Sequence, residues 1–363
     1  MTVEMIHDLG KFYSFGEPVS HSKFTIVPLL GNFSTPIISI IEAEKKESGW
    51  IEETDSVQVL KAINKGIPYL IPYLHQVEGG KQDRTIFEPI IVPEGRGEAN
   101  PLDIPARCIE QSRWRYSSSR GEATSKKFKS SKTRMASQMS YSSSRYEAQE
   151  VVWDNVAASA SAMGLTMEDA PTSSYLEMNA MAFEKKEDLK ELKEKLLPGT
   201  KVDGQVGVVC FYGDKILGME IYGSTSLWNH SSEEVLKGFL IDQYFLKNLE
   251  TKDEITEDIR DILKQELKDV KISKMEATGT GELYKFNDEK WEGIAVLFDG
   301  IPVHLHAVKE QVRIADQSRS RGRVEQMSNV EPVQAIQQML APEITGRITP
   351  QEQREEEEFQ NRE

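Results

Sequence analysis

The chain has 363 residues, of which 38% are hydrophobic and 28% charged, so it can form a substantial folded core. No apolar run approaches the roughly 18 residues of a membrane-spanning helix, and the first residues lack the pattern of a signal peptide. The two cysteines, Cys108 and Cys210, exclude a disulfide framework and predict a reducing, cytoplasmic location.

The formal net charge of −15 argues at first against an anionic partner, but the charge is unevenly distributed. The segment 107–145 contains ten basic residues and two acidic ones, a net charge of +8, which leaves −23 on the rest of the chain. A block of this kind is an electrostatic feature that the average conceals.

The N-terminal half contains short apolar runs separated by turn residues. Residues 1–19 form a poorly anchored lead-in before the first of these runs. Apolar residues at a spacing of three after a potential cap at Thr54 predict a helix over 54–64. The remaining runs predict strands over 24–30, 36–43, 67–74, 85–92 and 102–109.

The C-terminal half alternates helices with hairpins. Its apolar stripes predict helices over 146–163, 184–197, 231–249 and 256–270. Two-residue turns at Gly213-Asp214 and Asp299-Gly300 predict hairpins of strands 205–212 with 215–222 and 291–298 with 301–307. Because the strands come as hairpins, we expect an α+β domain over 20–310, with hairpin-rich mixed or antiparallel sheets and packed helices.

Two segments fall outside this pattern. The Ser-, Lys- and Arg-rich stretch 117–145 has the composition of a solvated loop, or of a loop that becomes ordered on an anionic partner. The charged tail 311–363 is expected to be flexible and disordered, with one short amphipathic helix over 331–341. These segments are where we expect a protein or nucleic-acid partner to bind, and homo-oligomerisation stays open.

Two polar clusters lie at the ends of predicted strands, where binding sites are common. In the first, Lys and Arg beside Gly79-Gly80 suit a phosphate, or else a tight turn whose basic groups pair with acids. In the second, Arg and Trp suit a stacked nucleotide, or else an ion pair such as Glu110 with Arg84. The candidate ligand-binding residues are Lys81, Gln82, Arg84, Gln111, Arg113 and Trp114, joined by Gln149 and Trp153 on one face of the following helix.

Catalytic and metal signals are sparse. Glu78 and Glu110 could act as an acid–base pair, although their spacing does not require it. Cys108 lies inside an apolar run, which is typical of a packed side chain. His304 and His306 share a strand face, but no third ligand accompanies them, so we predict no metal and no cofactor.

The motif Gly79-Gly80-Lys81-Gln82-Asp83-Arg84, then Ile104-Pro105 and Cys108-Ile109-Glu110-Gln111-Ser112-Arg113-Trp114, resembles the ARG and Rhodanese-Phosphatase-superfamily-associated Protein (ARPP) domain. Later pieces of the family pattern occur in order at Gln149 with Val152-Trp153-Asp154, at 207–211, at 216–218 and in the last hairpin. The resemblance covers roughly residues 20–308. The Ser-rich segment and the tail depart from the family pattern.

The resemblance implies a function near NAD-derived metabolism, because the family is named for gene neighbours of the ADP-ribosylglycohydrolase and phosphatase types. We therefore expect a ligand-binding or processing domain for an ADP-ribose, NAD-derived or nucleotide ligand, whose phosphate is held by the Lys/Arg cluster. The alternative is a non-enzymatic assembly protein that binds an anionic or protein partner through the basic loop and the tail. Whether a reaction is catalysed is left open.

Overall fold

The structure is a computed structural model that describes residues 2–54, 56, 58–110, 127–146, 149–165, 174–253 and 255–312. The helices of this part are α1 Thr2–His7, α2 Ile40–Lys45, α3 Ser137–Tyr146, α4 Gln149–Met163, α5 Tyr175–Lys185, α6 Glu187–Leu196, α7 Thr225–Ile241, α8 Gln243–Leu246 and α9 Ile259–Leu267. Short 3₁₀ helices cover Leu9–Lys11 and Leu197–Thr200.

The strands of the described residues run from β1 to β19. They are β1 Ser14–Phe15, β2 Val19–His21, β3 Phe24–Leu30, β4 Ile38–Ser39, β5 Gly49–Glu52, β6 Val59–Asn64, β7 Tyr69–Ile71, β8 Gln76–Glu78, β9 Arg84–Thr85, β10 Ile90–Val92, β11 Leu102–Pro105, β12 Arg107–Cys108, β13 Lys129–Ser130, β14 Gln205–Tyr212, β15 Lys215–Tyr222, β16 Ile272–Met275, β17 Glu282–Asn287, β18 Trp291–Phe298 and β19 Ile301–Lys309.

The largest sheet of the described residues has nine antiparallel strands in the order β1-β3-β14-β15-β19-β18-β17-β16, with β2 also paired to β3. Side chains alternate across it, so Val208 and Cys210 lie in one core while Val209 and Phe211 lie in another. The first core is covered by α3 to α7, and the second by α1 and α9. The sheet is therefore buried on both faces.

Three small sheets form a second layer around a core of their own. Their strand orders are β10-β7-β4, β11-β6-β5 and β12-β9-β8-β13. The β4–β7 pair is parallel, whereas the other pairs are antiparallel, so the sheets are of mixed type. The α+β fold class predicted from the sequence is confirmed.

The hairpin predictions are confirmed residue by residue. β14 and β15 flank Gly213-Asp214, and β18 and β19 flank Asp299-Gly300. Asp299 and Gly300 both have positive φ, 51° and 74°, as a type I′ turn requires. Helix α4 also ends as predicted, since Gly164 takes the left-handed conformation with φ of 64°.

Some element predictions in the N-terminal half are wrong. The residues expected to form a helix over 54–64 contain strand β6, which is paired on both sides by β5 and β11. Leu60 and Ala62 alternate into the core, so tertiary pairing overrides a period of three. The strand expected over 36–43 is only β4 followed by α2, whose first turn is capped by the Ser39 hydroxyl accepting from the Glu42 N–H.

The N-terminal residues, expected to be poorly anchored, are packed in the core. Met5, Leu9 and Tyr13 are each at most 4% exposed and pack with α9 against the central sheet.

The helix expected over 231–249 begins earlier, at Thr225, because Ser224 rather than Ser232 caps it. The Ser224 hydroxyl accepts from the Leu227 N–H.

The basic segment 117–145 is partly interior. Residues 117–126 lie outside the described part, but 127–146 contain β13 and α3. Met135 and Met139 are fully buried, and the Gln138 side-chain amide donates a hydrogen bond to the Lys309 carbonyl. The prediction of a solvated loop is therefore wrong for this portion.

Among the described helices, none is long and apolar enough to cross a membrane.

Candidate functional site

The two polar clusters predicted from the sequence converge where β8, β9 and β12 lie side by side. The first motif forms the turn between β8 and β9, in which Val77 pairs with Arg84. The second motif continues from β12, whose Cys108 pairs with Arg84 on its other side. The Gln82 side-chain amide closes the contact by donating to the Glu110 carbonyl over 2.9 Å.

The Gly79-Gly80 turn is shaped by the protein's own carboxylates. Both glycines have positive φ, 119° and 54°. A Cβ at Gly80 would lie 2.4 Å from Glu53 Oε2, too close for any other residue without rearrangement. Glu53 Oε2 accepts the Lys81 N–H over 2.7 Å. The backbone N–H of Lys81, in the turn expected to suit a phosphate, thus already binds a carboxylate of the protein.

The acidic side chains of the cluster bind backbone and hydroxyl groups. The Asp83 carboxylate accepts from the Gly79 N–H over 3.2 Å and from the Ser174 hydroxyl over 2.8 Å. Ser174 also caps α5 by accepting from the Glu177 N–H. The Glu110 carboxylate accepts from the Asp83 N–H over 3.1 Å. These bonds fix the turn, the strand end and the start of α5 to one another.

Arg84 lies at the centre of this cluster and is fully buried. Its Nη1 is 3.4 Å from both Gln82 Oε1 and the Asp83 carbonyl oxygen, which are long contacts. Among the described residues, none provides a hydrogen-bond acceptor for its Nε or Nη2. Burying a guanidinium with unmet donors costs several kcal/mol. The Nε–H and one Nη2–H point the same way, which is the arrangement that grips a phosphate or carboxylate bidentately.

The Gln149 side chain hydrogen-bonds the backbone of β12 at the edge of its sheet. The Gln149 amide accepts the Cys108 N–H over 2.9 Å and donates to the Cys108 carbonyl over 2.7 Å, so it replaces a neighbouring strand. Burial raises the pKa of the Cys108 thiol, against smaller effects of the Glu110 backbone, the Arg84 charge and the Trp153 indole. Cys108 is thus a packed, protonated thiol at neutral pH.

The other predicted residues are less tightly grouped. Lys81 is half-buried, and Glu78 is exposed at the end of β8, where it pairs in register with Lys129. Glu110, its suggested partner in acid–base chemistry, is instead fully buried. The remaining candidates, Gln111, Arg113 and Trp114, lie outside the described residues.

A second polar cluster, which the sequence did not reveal, lies inside the central sheet. Glu220 is fully buried, and its carboxylate oxygens lie 2.8 and 2.9 Å from Arg134 Nη2. The Tyr222 hydroxyl donates to the same carboxylate over 3.3 Å. Burial alone would raise the pKa of Glu220, but Arg134, followed by His306 and His304, lowers it to about 2. Glu220 is therefore an anion held by a buried cation.

His304 and His306, the pair considered and set aside as a metal site, belong to this second cluster. His306 Nδ1 donates to Glu220 Oε2 over 2.6 Å, and His304 Nε2 lies 3.4 Å from Oε1. Burial lowers the pKa of both rings, that of His304 to about 3, so they are neutral near pH 7. No group of three metal-binding side chains occurs among the described residues. The signal available in the sequence was a glutamate in the middle of an apolar strand.

Searches of curated proteins and of solved structures found no match to this chain. The comparison with protein families did find one, and its description is the ARG and Rhodanese-Phosphatase-superfamily-associated Protein domain. The match runs from residue 12 to residue 308, which includes both polar clusters and nearly all of the described fold. With most of its length matched in this way, the chain belongs to the ARPP domain family.

Proposed function

We propose that this protein binds a phosphate-bearing ligand of the ADP-ribose or nucleotide class, and that Arg84 holds the phosphate. The observation that carries the proposal is the edge of the Arg84 guanidinium, where Nε and Nη2 have no acceptor from the described residues although the side chain is fully buried. A phosphate offers two oxygens at the spacing of these two donors.

The surrounding residues suit a supporting role. The side-chain amides of Gln82 and Gln149 are both engaged with backbone groups, so they position the strand ends and do not contact the ligand. Lys81 is half-buried on the same turn, and its ammonium would add charge to a phosphate held nearby. Gln111, Arg113 and Trp114 follow Glu110 directly in the chain and complete the proposed set.

The family supports the class of ligand. Its description names an association with ARG and rhodanese-phosphatase superfamily proteins, which is compatible with a role in processing. Enzymes of the ADP-ribosylglycohydrolase and phosphatase types act on phosphate-bearing compounds, and a domain that holds such a compound fits beside them. Because Arg84 is buried, neighbouring groups must move before a ligand can enter. We therefore expect an association rate slower than that of a preformed site.

The test is calorimetric titration of ADP-ribose, NAD, AMP and pyrophosphate into the protein and into Arg84→Met. Methionine fills much of the arginine volume without a charge or a donor. We expect the variant to lose about 10- to 100-fold in affinity, the equivalent of a charge-assisted hydrogen bond. Arg96→Met, a half-buried arginine in the same layer, is the matched control and should bind as the unaltered protein does.

The stability of Arg84→Met separates a binding role from a structural one. If the Nε and Nη2 donors are unmet in the folded protein, removing the charge leaves the free energy of unfolding unchanged or raises it. A loss of several kcal/mol on urea denaturation would show that Arg84 is a structural ion and would refute the proposal. Equal affinities of the two proteins, or no heat with any of the four compounds, would refute it as well.

A further inference from the structure

A groove rich in lysine lies on the face of the protein formed by α5, α6, α7 and the segment before α3. Its volume is about 440 Å³, within the range of small-molecule sites. Four lysines line it together with a single acid, and Phe183 and Leu197 form its apolar wall. The lysines are Lys132, Lys190, Lys193 and Lys237, and the acid is Glu194.

The interior of this groove includes a buried acceptor without a protein donor. Asn179 is fully buried, and its Nδ2 donates to the Arg134 carbonyl over 2.9 Å. That bond fixes the orientation of the amide, because a flipped amide would set two oxygens against each other. In the part of the chain that the structure describes, no group donates to Asn179 Oδ1, and the residue lines the groove. Because Oδ1 has almost no accessible surface, a ligand hydroxyl can satisfy it only when the neighbouring side chains move aside.

Three of the lysines pair with acids that do not line the groove. Lys193 and Lys237 share the carboxylate of Glu233 at 2.6 and 3.1 Å, and Lys190 pairs with Glu187 at 2.6 Å. Both acids are substantially exposed, with 43% and 84% of their side chains in solvent. The Lys190–Glu187 pair is exposed on both sides and contributes about 0–1 kcal/mol, so a ligand phosphate can displace it. Lys237 is only 14% exposed, and with Lys193 it lowers the pKa of Glu233 to about 2, so that pairing is held more firmly.

The remaining charges leave the groove positive. Lys132 is exposed, and its ammonium makes no ion pair within the described part of the chain. Glu234 does not line the groove, and burial raises its pKa to about 8 against the lowering charges of Arg134 and Lys237. Within the described part of the chain, Glu194 is the lining carboxylate set against four ammonium groups.

We infer that this groove is a second ligand site, separate from Arg84, that binds a small phosphorylated sugar. The lysines hold the phosphate as mobile point charges, and Asn179 Oδ1 accepts a hydrogen bond from a sugar hydroxyl. Phe183, over whose ring Lys237 Nζ lies at 5.8 Å, supplies an apolar surface for the carbon face of the sugar ring. The pairing of several cations with one buried neutral acceptor distinguishes this ligand from a simple anion.

The test uses ribose 5-phosphate, ribose and inorganic phosphate as separate calorimetric probes at low ionic strength. Ribose 5-phosphate is expected to bind at least about tenfold more tightly than either component, because only it meets both features of the groove. The double variant Lys132→Gln with Lys190→Gln should weaken that binding about tenfold or more. Both lysines are at least partly exposed, so the fold is expected to be unaffected, as circular dichroism will check.

Two comparisons complete the design. The double variant Lys61→Gln with Lys271→Gln removes the same charge from exposed positions that do not line the groove, and it should bind within about twofold of the unaltered protein. Arg84→Met should also retain binding of ribose 5-phosphate, which separates this site from the proposed nucleotide site. Equal affinity for inorganic phosphate and ribose 5-phosphate, or equal loss in the two lysine double variants, would overturn the inference.

Discussion

The buried pair of Glu220 and Arg134 gives the sharpest test of what stabilises this fold. Glu220→Gln keeps the shape of the side chain and removes its charge, so Arg134 becomes a buried cation without an anion. Breaking a buried pair from one side costs about 3–5 kcal/mol. The contacts support that magnitude, because both carboxylate oxygens lie within 3.0 Å of Arg134 Nη2 and Glu220 has no exposed surface.

The reverse substitution, Arg134→Met, is expected to cost less. It leaves Glu220 beside His306, whose Nδ1 donates to the carboxylate over 2.6 Å and whose ring can become a cation by taking up a second proton at Nε2. Removing Arg134 also removes a charge that lowers the pKa of His306. Combining the two substitutions should cost less than their sum, since the double variant buries no unpaired charge.

Urea denaturation followed by tryptophan fluorescence measures each free energy of unfolding. The matched control is Glu282→Gln, which breaks an ion pair with Lys274 on the same sheet. Those two side chains are 42% and 58% exposed, so a change of at most about 1 kcal/mol is expected. If Glu220→Gln and Glu282→Gln are equally destabilising, the buried pair does not anchor the sheet and the reasoning fails.

Two further predictions concern the small sheets. Gly80→Ala should lower the free energy of unfolding by more than about 2 kcal/mol, because the new Cβ clashes with its neighbours and the φ is unfavourable for alanine. The control Gly95→Ala, at a φ of 75° and in open space, should cost about 1 kcal/mol. Equal losses of the two variants in thermal denaturation would contradict this prediction. Burial, then the charge of Arg134, lowers the pKa of His75 to about 4, so the unfolded chain takes up this proton first and stability falls from about pH 6.5 down to 4. His75→Gln should remove about 1.4 kcal/mol per pH unit from that slope, and parallel pH profiles of the two proteins would rule the prediction out.

The parts of the fold that were predictable are those fixed by local chemistry. The Gly-Asp and Asp-Gly turns demand positive φ at given positions, so both hairpins follow from a few adjacent residues. The failures arise where distant partners decide. Leu60 and Ala62 lie in a strand because the strands on both sides of it hydrogen-bond its backbone. The sequence of residues 54–64 contains no information about those neighbouring strands.

Composition misled the interpretation of the basic segment for a similar reason. Serine and lysine dominate it, yet Met135 and Met139 are four residues apart and both fully buried. Met139 lies in α3, whereas Met135 precedes the helix, so their burial reflects packing against the core and not one helix face. The partner of Arg134 was not readable, because Glu220 lies 86 residues further along the chain.

For the candidate site, the sequence identified the two polar clusters but not their hydrogen-bond partners. The bond between Gln82 and the Glu110 carbonyl shows that the clusters meet. Whether a side-chain donor of the site is free for a ligand depends on backbone groups of other segments, which can already accept its hydrogen bond. The Gln149 amide serves the Cys108 backbone, for example, and no local pattern indicates this.

Helix α5 connects the three polar regions, and this constrains how their variants behave. Ser174 at its start binds Asp83, the Tyr175 hydroxyl donates to the Arg134 carbonyl over 3.3 Å, and Asn179 lines the lysine groove. Loss of the Arg134 side-chain anchor in Glu220→Gln should therefore loosen α5 and weaken binding at both proposed sites together. Arg84→Met and the exposed lysine variants leave the contacts of α5 intact, so each should weaken binding at one site alone.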